Sequence, residues 1–219
     1  MPDSNRIVII DYRMGNLRSV QKAFEYVGAE AFVTDDPNRV ARADKLVLPG
    51  VGAFGDGMRF LDDLNLADPI RQHVQDGKPF LGICLGMQLL FDGSEEDAPV
   101  GQEGKVTDLV PGLGLVPGRV VRFENPRQGQ LIKVPQMGWN TLRWDRPDPL
   151  FEGLEQDTAV YFVHSYYAQP ADDSVVSAVA DYGGDFCASI HRDNLYATQF
   201  HPEKSQRVGL RILENFTRL

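Results

Sequence analysis

Cysteine is scarce in this sequence, with Cys84 and Cys187 the only two among 219 residues. A chain of this length can bury a sizeable core without cross-links, so we exclude a scaffold that depends on several disulfides. The longest apolar run, residues 80–91, is well short of the roughly 20 residues that span a bilayer. The first residues include Asp3 and form no long apolar segment, so we expect no signal peptide. We therefore expect a cytoplasmic protein with reduced thiols.

Positive charge is also scarce, because 22 Lys and Arg residues face 31 Asp and Glu residues, for a net charge of −9. Proteins that bind nucleic acids or anionic membranes generally need a cationic surface. We therefore expect neither a nucleic acid nor a membrane as partner. The histidines and cysteines are too few and too badly spaced for zinc ligation, so no metal and no cofactor is expected.

The first half of the chain alternates between short apolar runs and helical patterns. Strands are predicted at 6–10, 31–34, 45–49 and 78–83, and helices at 16–28, 58–66, 68–77 and 85–91. Asn16 can cap the first helix and Gly28 can end it. Such alternation predicts an α/β fold with an open, mainly parallel sheet flanked by helices.

The second half has a different pattern. Strand-like runs alternate with turn residues such as Gly183-Gly184 and Asp193-Asn194, which predicts additional antiparallel hairpins laid against the α/β half. A final helix is expected over 205–219, with Ser205 as its cap. No stretch is rich enough in Pro, Gly or Ser to divide the chain, so we expect a single domain over residues 1–219.

Cys84 lies in the segment "FLGICLGMQLLF", between Gly82 and Gly86. This spacing is a cysteine form of the nucleophile elbow, a sharp strand-to-helix turn that strains the backbone of the nucleophile and needs small residues on both sides. The thiol would then project at the carboxyl end of the sheet, where the N–H of Leu85 can face an oxyanion. A small hydrophobic cysteine in the core remains the alternative.

A nucleophilic cysteine needs a base, and the chain has four histidines. His73, in a polar helical segment, and His191, before a turn, are predicted to be exposed, whereas His164 could belong to the core or to a site. His201 lies two residues before Glu203, and an extended backbone would place both side chains on one side. The carboxylate could hold one ring nitrogen while the other faces the thiol. A turn with a solvated ion pair is the alternative.

The segment "LVLPGVGAFGDG" places four glycines directly after the third predicted strand. It matches neither the dinucleotide fingerprint nor the P-loop, because no Gly-Lys-Ser/Thr is present. Glycines let backbone N–H groups approach an acyl carbonyl closely, so the segment could supply a second oxyanion donor. A flexible turn without a role is the alternative.

The segments "GICLGMQLL" and "QFHPEKS" resemble the two signatures of the class I glutamine amidotransferases, which have a flavodoxin-like glutaminase fold and a Cys-His-Glu triad. More narrowly, "DYRMGNLRSV", "LPGVGAFGDGM", "KVPQMGWN" and "YFVHSYY" resemble the glutaminase subunits of imidazole glycerol phosphate synthase. The resemblance runs from about Ile7 to the C-terminus. Two residues depart from the pattern: Gln136 stands where histidine is more frequent, and Arg13 where glycine is common.

The resemblance implies a role for each predicted site residue. Cys84 would attack the side-chain amide of glutamine, His201 would transfer the proton and Glu203 would orient His201. The oxyanion would be held by backbone N–H groups at Val51, Gly52 and Leu85. Glutamine would be bound by Gly50, Gln88, Glu96, Ser165 and Tyr166.

The resemblance also implies a partner. Ammonia would pass into a (β/α)₈-barrel cyclase subunit of a heterodimer, which makes imidazole glycerol phosphate and aminoimidazole carboxamide ribonucleotide in histidine biosynthesis. The docking face would include Met137, Trp139, Asn140 and Lys204. A core position remains the alternative for Trp139.

Two other functions stay open at this point. The chain could be a glutaminase of a different synthase or a γ-glutamyl hydrolase that acts alone, although "PGVGAFG" and "PQMGWN" argue against both. It could also be a binding module without activity, but an intact thiol, imidazole and carboxylate argue against that.

Overall fold

The computed structural model describes residues 6–101 and 106–219. The strands are β1 (Arg6–Ile10), β2 (Glu30–Thr34), β3 (Lys45–Gly50), β4 (Phe80–Cys84), β5 (Phe91–Ser94), β6 (Val110–Pro111), β7 (Val116–Arg122), β8 (Gln136–Leu142), β9 (Thr158–His164), β10 (Tyr166–Pro170), β11 (Val176–Asp181), β12 (Asp185–Arg192) and β13 (Leu195–Thr198). The helices are α1 (Leu17–Tyr26), α2 (Pro37–Ala41), α3 (Phe54–Asp63), α4 (Ala67–Gln75), α5 (Leu85–Gln88) and α6 (Gln206–Thr217). Within these described ranges, no helix is both long enough and apolar enough to cross a membrane.

The central sheet has seven strands in the order β11-β12-β13-β4-β3-β1-β2. Strands β2, β1, β3, β4 and β13 run parallel, while β12 is antiparallel to both of its neighbours. The predicted α/β architecture with a mainly parallel sheet is therefore confirmed. Strands β11 to β13 extend this sheet at its edge, whereas β10-β7-β5-β6 form a second sheet and β8-β9 a separate hairpin.

Apolar side chains cover both faces of the central sheet. In β1, Ile7 and Ile9 join a cluster that includes residues of α1 and α6, and Val8 and Ile10 join a cluster that includes residues of α2, α3 and α4. A strand covered on both faces reads as a continuous apolar run, which is why "RIVII" carries no polar alternation. Each fully buried Ile or Leu contributes about 1.5–3 kcal/mol relative to an exposed one.

The helix predicted over 85–91 is shorter in the structure than expected. The structure has a single turn, α5, followed by β5. The carbonyls of Leu89 and Leu90 accept backbone hydrogen bonds from residues 113–116. Pairing with a segment distant in sequence therefore replaces the local helical bonds.

The two predicted caps have different outcomes. The side chain of Asn16 accepts a hydrogen bond from the N–H of Ser19 at the start of α1. Ser205 occupies the N-cap position of α6 as predicted, but its side chain makes no capping bond. Its hydroxyl donates to the carbonyl of His201 at 2.7 Å and accepts from the N–H of Tyr161 at 3.0 Å. Ser205 thus ties the loop at residue 201 to β9.

Candidate active site

Cys84 ends β4 in a strained backbone conformation, with φ 54° and ψ −110°. Residues with a side chain seldom adopt a positive φ, and such strain concentrates at functional sites. A Cβ on Gly82 would lie 2.8 Å from the carbonyl oxygen of Gly86, and a Cβ on Gly86 would lie 1.8 Å from that of Leu48. Neither contact is tolerable, so the elbow requires both glycines.

The Cys84 thiol opens into a cleft although the residue is mostly buried. Its Sγ lies 3.7 Å from the side-chain Nε2 of Gln199 and 4.0 Å from the carbonyl oxygen of Val163. Gly50, the last residue of β3, pairs with Cys84 across the neighbouring parallel strands. We call residues 50–57, which contain the four glycines after β3, the glycine loop. This loop and the thiol therefore meet at the carboxyl ends of β3 and β4.

His201 and Glu203 form a close buried pair, with 2.8 Å between Nδ1 and Oε1. The other ring nitrogen, Nε2, is buried without a hydrogen bond of ordinary geometry within the described residues. Burial lowers the pKa of His201, but Cys84 and Glu203 together outweigh burial and hold that pKa well above its usual value. The arrangement favours the protonated imidazole, which is the form that His201 takes once it has accepted a proton from Cys84.

The backbone between His201 and Glu203 differs from the prediction. An extended path was expected, but only His201 is extended, and Pro202–Lys204 form a 3₁₀ turn. Proline suits the first position of such a turn, because its φ is already close to helical values. The carboxylate therefore reaches the imidazole through a tight turn.

The prediction of an exposed His73 was wrong, and His191 is only partly exposed. His73 is buried and its Nε2 donates to the carbonyl of Pro79 at 3.0 Å. His191 is partly buried, with Nδ1 3.2 Å from Oδ2 of the buried Asp148. Each histidine has a local partner that sequence polarity did not reveal.

His164 lines the cleft as an uncharged residue. Its Nδ1 donates to the carbonyl of Tyr166 at 2.8 Å, while Nε2 is buried without a partner within the described residues. The pKa of His164 is lowered to about 4, mainly by burial and in smaller part by the neighbouring His201. A neutral His164 therefore leaves His201 as the charged imidazole of the site.

The cleft has a volume of about 460 Å³, within the range of small-molecule sites. Besides Cys84 and His164, its lining residues are Val51, Gly52, Leu85, Gln88, Glu96, Pro135, Val163, Ser165, Tyr166 and Lys204. A larger groove of about 760 Å³ lies elsewhere, against residues such as Arg127 and Tyr167. Because the larger groove contains none of Cys84, His201 and Glu203, size alone does not locate the chemistry.

The polar residues expected to hold glutamine are themselves held in place. Nε2 of Gln88 donates to the carbonyl of Tyr166 at 2.9 Å and to Oε1 of Gln199 at 3.0 Å. Oε2 of Glu96 accepts from the N–H of Phe54 at 2.8 Å, at the start of α3. Burial raises the pKa of Glu96. Gln88 thus fixes the break between β9 and β10, at Ser165, on the wall of the cleft.

An exposed aromatic face adjoins the cleft. Met137 and Trp139 lie on one side of β8 and are 63% and 50% exposed. The Trp139 ring packs edge-on against Tyr161 at 6.0 Å, and Nζ of Lys204 lies 6.0 Å from the centre of the Tyr161 ring. We call Met137, Trp139, Tyr161 and Lys204 the Trp139 face. Its exposure argues against a core position for Trp139.

Some residues lie elsewhere than expected, and others were missed. Asn140 follows Trp139 on the opposite side of β8, where its Nδ2 donates to the carbonyl of Asp181 at 2.7 Å. Sequence reasoning overlooked Tyr161, which pairs with Trp139 in the β8-β9 register, and Gln199, which contacts the thiol. Gln199 lies two residues before His201 in the quoted signature, which was the available signal.

Arg13 and Gln136, the two residues that depart from the family pattern, lie in different surroundings. Arg13 has φ 68°, a conformation that glycine adopts more easily, and its N–H donates to Oδ1 of Asp11 at 3.0 Å. Gln136 is buried opposite His164 in the β8-β9 register, and its Oε1 has no hydrogen-bond partner within the described residues. Arg13 therefore adopts a strained turn, and Gln136 brings an unpaired acceptor to the strand position opposite His164.

A strained cysteine at the carboxyl end of a parallel strand, beside a His–Glu pair, defines an α/β enzyme class built for acyl transfer through a thiol. Residues 8–219 match the family model described as "Glutamine amidotransferase class-I". The chain belongs to the class I glutamine amidotransferase family and is an enzyme of that type. In residues 6–101 and 106–219, no group of three or more His, Cys, Asp or Glu side chains could hold a metal ion.

Individual relatives within this family are also similar to the chain. The chain is 61% identical over 212 residues to the "Imidazole glycerol phosphate synthase subunit HisH" of Syntrophotalea carbinolica, covering 96% of this chain and 98% of that protein. It is 55% identical to the protein of the same name from Geobacter metallireducens, covering 96% of each. The structure of PurLQS from Thermotoga maritima aligns with a TM-score of 0.69 at 17% identity, covering 97% of each chain. At that identity the structural match supports the fold alone.

Proposed function

We propose that this chain is the glutaminase subunit of imidazole glycerol phosphate synthase and hydrolyses glutamine to glutamate and ammonia. The observation that carries the proposal is the strained Cys84 beside the buried His201–Glu203 pair, at 2.8 Å between Nδ1 and Oε1. The names of the relatives supply the substrate class and the pathway. The proposal treats residues 1–219 as one glutaminase domain that works in the cytoplasm.

The first step is acylation of the thiol. His201 takes the Cys84 proton, and the sulfur attacks the side-chain carbonyl carbon of glutamine. Glu203 keeps the imidazole oriented and stabilises its positive charge. The resulting tetrahedral oxyanion is held by backbone N–H groups of Leu85 and of the glycine loop at Val51 or Gly52.

The second step releases ammonia and regenerates the enzyme. His201 delivers its proton to the departing nitrogen, the C–N bond breaks and a glutamyl thioester remains on Cys84. Water then attacks the thioester, with His201 as the base, and glutamate leaves. The backbone at Ser165 and Tyr166, together with Glu96, holds the amino-acid end of glutamine during both steps.

The Trp139 face is the proposed docking surface for a (β/α)₈-barrel cyclase subunit. Free ammonia at neutral pH becomes ammonium and loses its nucleophilic lone pair, so the cleft must open into a sealed interface. Lys204 belongs both to the cleft lining and to the Trp139 face, so the docking surface begins at the site of ammonia release. Exposed Trp and Met residues are enriched in such interfaces.

A reconstituted complex tests this function. The chain and a cyclase subunit should make product from glutamine or from added ammonia, and Cys84→Ala should abolish only the glutamine-dependent reaction. Hydrolysis of glutamine should rise strongly when the cyclase carries its nucleotide ligand. Robust glutaminase activity without any partner would instead favour a γ-glutamyl hydrolase that acts alone.

The docking surface has its own test. Trp139→Ala should weaken the complex by about tenfold to a hundredfold, the cost typical of an interface aromatic. Tyr26→Ala is the matched control, because Tyr26 is 79% exposed at the last residue of α1 and is not part of the Trp139 face. Isothermal titration with the cyclase subunit measures both variants, and equal affinities would contradict the assignment.

A further inference from the structure

Tyr12 follows β1 and is fully buried, yet its hydroxyl has no hydrogen-bond partner within the described residues. Burying an unpaired hydroxyl costs about 1–3 kcal/mol, so an unpaired hydroxyl in a core needs an explanation. Nothing in the proposed mechanism uses it so far. The position of the hydroxyl suggests what it does.

The hydroxyl lies at the junction between the glycine loop and the elbow. A Cβ added to Gly50 would lie 2.0 Å from Oη of Tyr12, 2.9 Å from Cβ of Leu85 and 3.2 Å from the backbone nitrogen of Gly86. The Tyr12 hydroxyl therefore fills the space of the side chain that Gly50 lacks. Leu85 and Gly86 border the same space, so the hydroxyl lies near both backbone segments that are proposed to supply the oxyanion donors.

The peptide bond that joins Gly50 to Val51 links this hydroxyl to the chemistry. A trans peptide is planar, and its N–H and C=O point in opposite directions. When the Val51 N–H faces an oxyanion in the cleft, the Gly50 carbonyl points away from the cleft and needs a donor of its own. The Tyr12 hydroxyl, packed against Gly50, is a donor without an acceptor.

We propose that Tyr12 is a positioning residue whose hydroxyl donates to the Gly50 carbonyl while the tetrahedral intermediate forms, so that the Val51 N–H is held on the oxyanion. The inference rests on the proposed glutaminase function. No proton leaves Tyr12 in this step: the C–S bond forms, the carbonyl π electrons move to oxygen, and the hydroxyl only donates a hydrogen bond. Burial raises the pKa of Tyr12 far above its usual value, with Cys84 adding to the effect, so the hydroxyl stays protonated.

Tyr12→Phe tests the inference, because it keeps the ring and removes only the hydroxyl. In the full chain complexed with the cyclase subunit, kcat for glutamine hydrolysis should fall by about tenfold to a hundredfold, a part of what one oxyanion donor supplies. KM should stay within about twofold, because the bond forms only as charge develops. Tyr26→Phe, at an exposed tyrosine, should change neither constant.

Alkylation of Cys84 with iodoacetamide separates this role from activation of the thiol. That reaction displaces iodide at carbon and forms no oxyanion, so its rate in Tyr12→Phe should equal that of the parent chain. Thermal unfolding should show a variant at least as stable as the parent, because an unpaired hydroxyl has been removed.

Three results would overturn the inference. An unchanged kcat would show that the hydroxyl only fills space. Slower alkylation would place its effect on the thiol, and a lowered kcat with a lower unfolding temperature would make the role structural. Failure of the parent chain to hydrolyse glutamine would instead refute the proposed function, which keeps the two failures distinct.

Discussion

Cys84 and Cys187 are almost equally buried, at 6% and 7% exposure, and each lines a cavity, yet their backbone conformations and neighbouring groups differ. Cys187 lies within β12, where its thiol donates to the carbonyl of Ser189 at 3.6 Å. Burial raises its pKa to about 12. Cys84 ends a strand at φ 54° and helps to raise the pKa of His201. Exposure alone therefore does not identify a nucleophile, whereas the backbone conformation and the neighbouring base do.

The largest effect should come from deleting each thiol in turn. Cys84→Ala should lower glutamine hydrolysis by 10³-fold or more, on the order of losses seen for other catalytic nucleophiles. Cys187→Ala removes one buried sulfur and should leave kcat within about twofold. Glutamate release by the two variants, in complex with the cyclase, measures the contrast. Similar losses in both would end the distinction between the two cysteines.

Thiol labelling should show a contrast of nearly the same size. With a pKa of about 12, only about one Cys187 in 10⁴ is a thiolate at pH 8, and the thiolate is the form that alkylates. Peptide mapping after iodoacetamide treatment should find label on Cys84 alone between pH 7 and 9. Label on Cys187 in the folded protein would show that β12 opens readily.

Glu203→Gln tests whether the neighbouring His201–Glu203 pair is what makes Cys84, and not Cys187, a nucleophile. Glu203 helps to raise the pKa of His201, so its loss should lower that pKa and reduce kcat by about tenfold to a hundredfold. The matched variant is Asp148→Asn, which removes the carboxylate that faces His191, outside the cleft. Asp148→Asn should leave kcat within about twofold. An unchanged kcat in Glu203→Gln would remove the carboxylate from the proposed triad.

The same variant gives a pH dependence of stability. A histidine with a raised folded pKa stabilises the native state fully below its unfolded value of about 6.5, and this stability is lost as pH rises through the folded pKa. The parent chain should therefore exceed Glu203→Gln in unfolding free energy most clearly near pH 6, and the gap should narrow toward alkaline pH. Urea unfolding across that range measures it. A gap that widens with pH would contradict the sign.

The smallest effect concerns the glycines of the elbow. Gly86→Ala would drive a Cβ to 1.8 Å from the carbonyl oxygen of Leu48, and overpacking of this kind typically costs about 1–3 kcal/mol. Gly55→Ala in α3 is the control, because a Cβ at Gly55 would lie 3.8 Å from Cγ1 of Val110, an ordinary contact distance. Gly55→Ala should raise the free energy of unfolding by about 0.5–1 kcal/mol, because alanine favours a helix more than glycine does. Equal stabilities by urea unfolding would refute the packing argument.

The elbow could be predicted because its determinants are local. Five residues from Gly82 to Gly86 contain the glycine spacing, the nucleophile and the strand-to-helix change. The parallel sheet followed from the alternation of apolar runs and helical patterns for the same reason. Glu203 lies only two residues after His201, so their pairing could also be predicted from the sequence. The backbone between them is a turn and not the extended path that was expected.

The structural features that the sequence did not predict depend on contacts between segments distant in the chain. The helix predicted over 85–91 ends early because residues 113–116 bond to the carbonyls of residues 89–91. Tyr12 reaches Gly50 across 38 positions, and Tyr161 meets Trp139 only through the β8-β9 register. His73 looked polar in sequence but is buried with a carbonyl partner. Periodicity and motif spacing do not encode such pairings.

Trapping the covalent intermediate tests the central claim most directly. The chain, in complex with the cyclase subunit, would be mixed with glutamine, quenched rapidly in acid and analysed by peptide mass spectrometry. We predict a glutamyl thioester on the peptide that contains Cys84, none on the peptide that contains Cys187, and none in Cys84→Ala. Steady glutamine turnover without an adduct on Cys84, together with turnover by Cys84→Ala, would contradict the account.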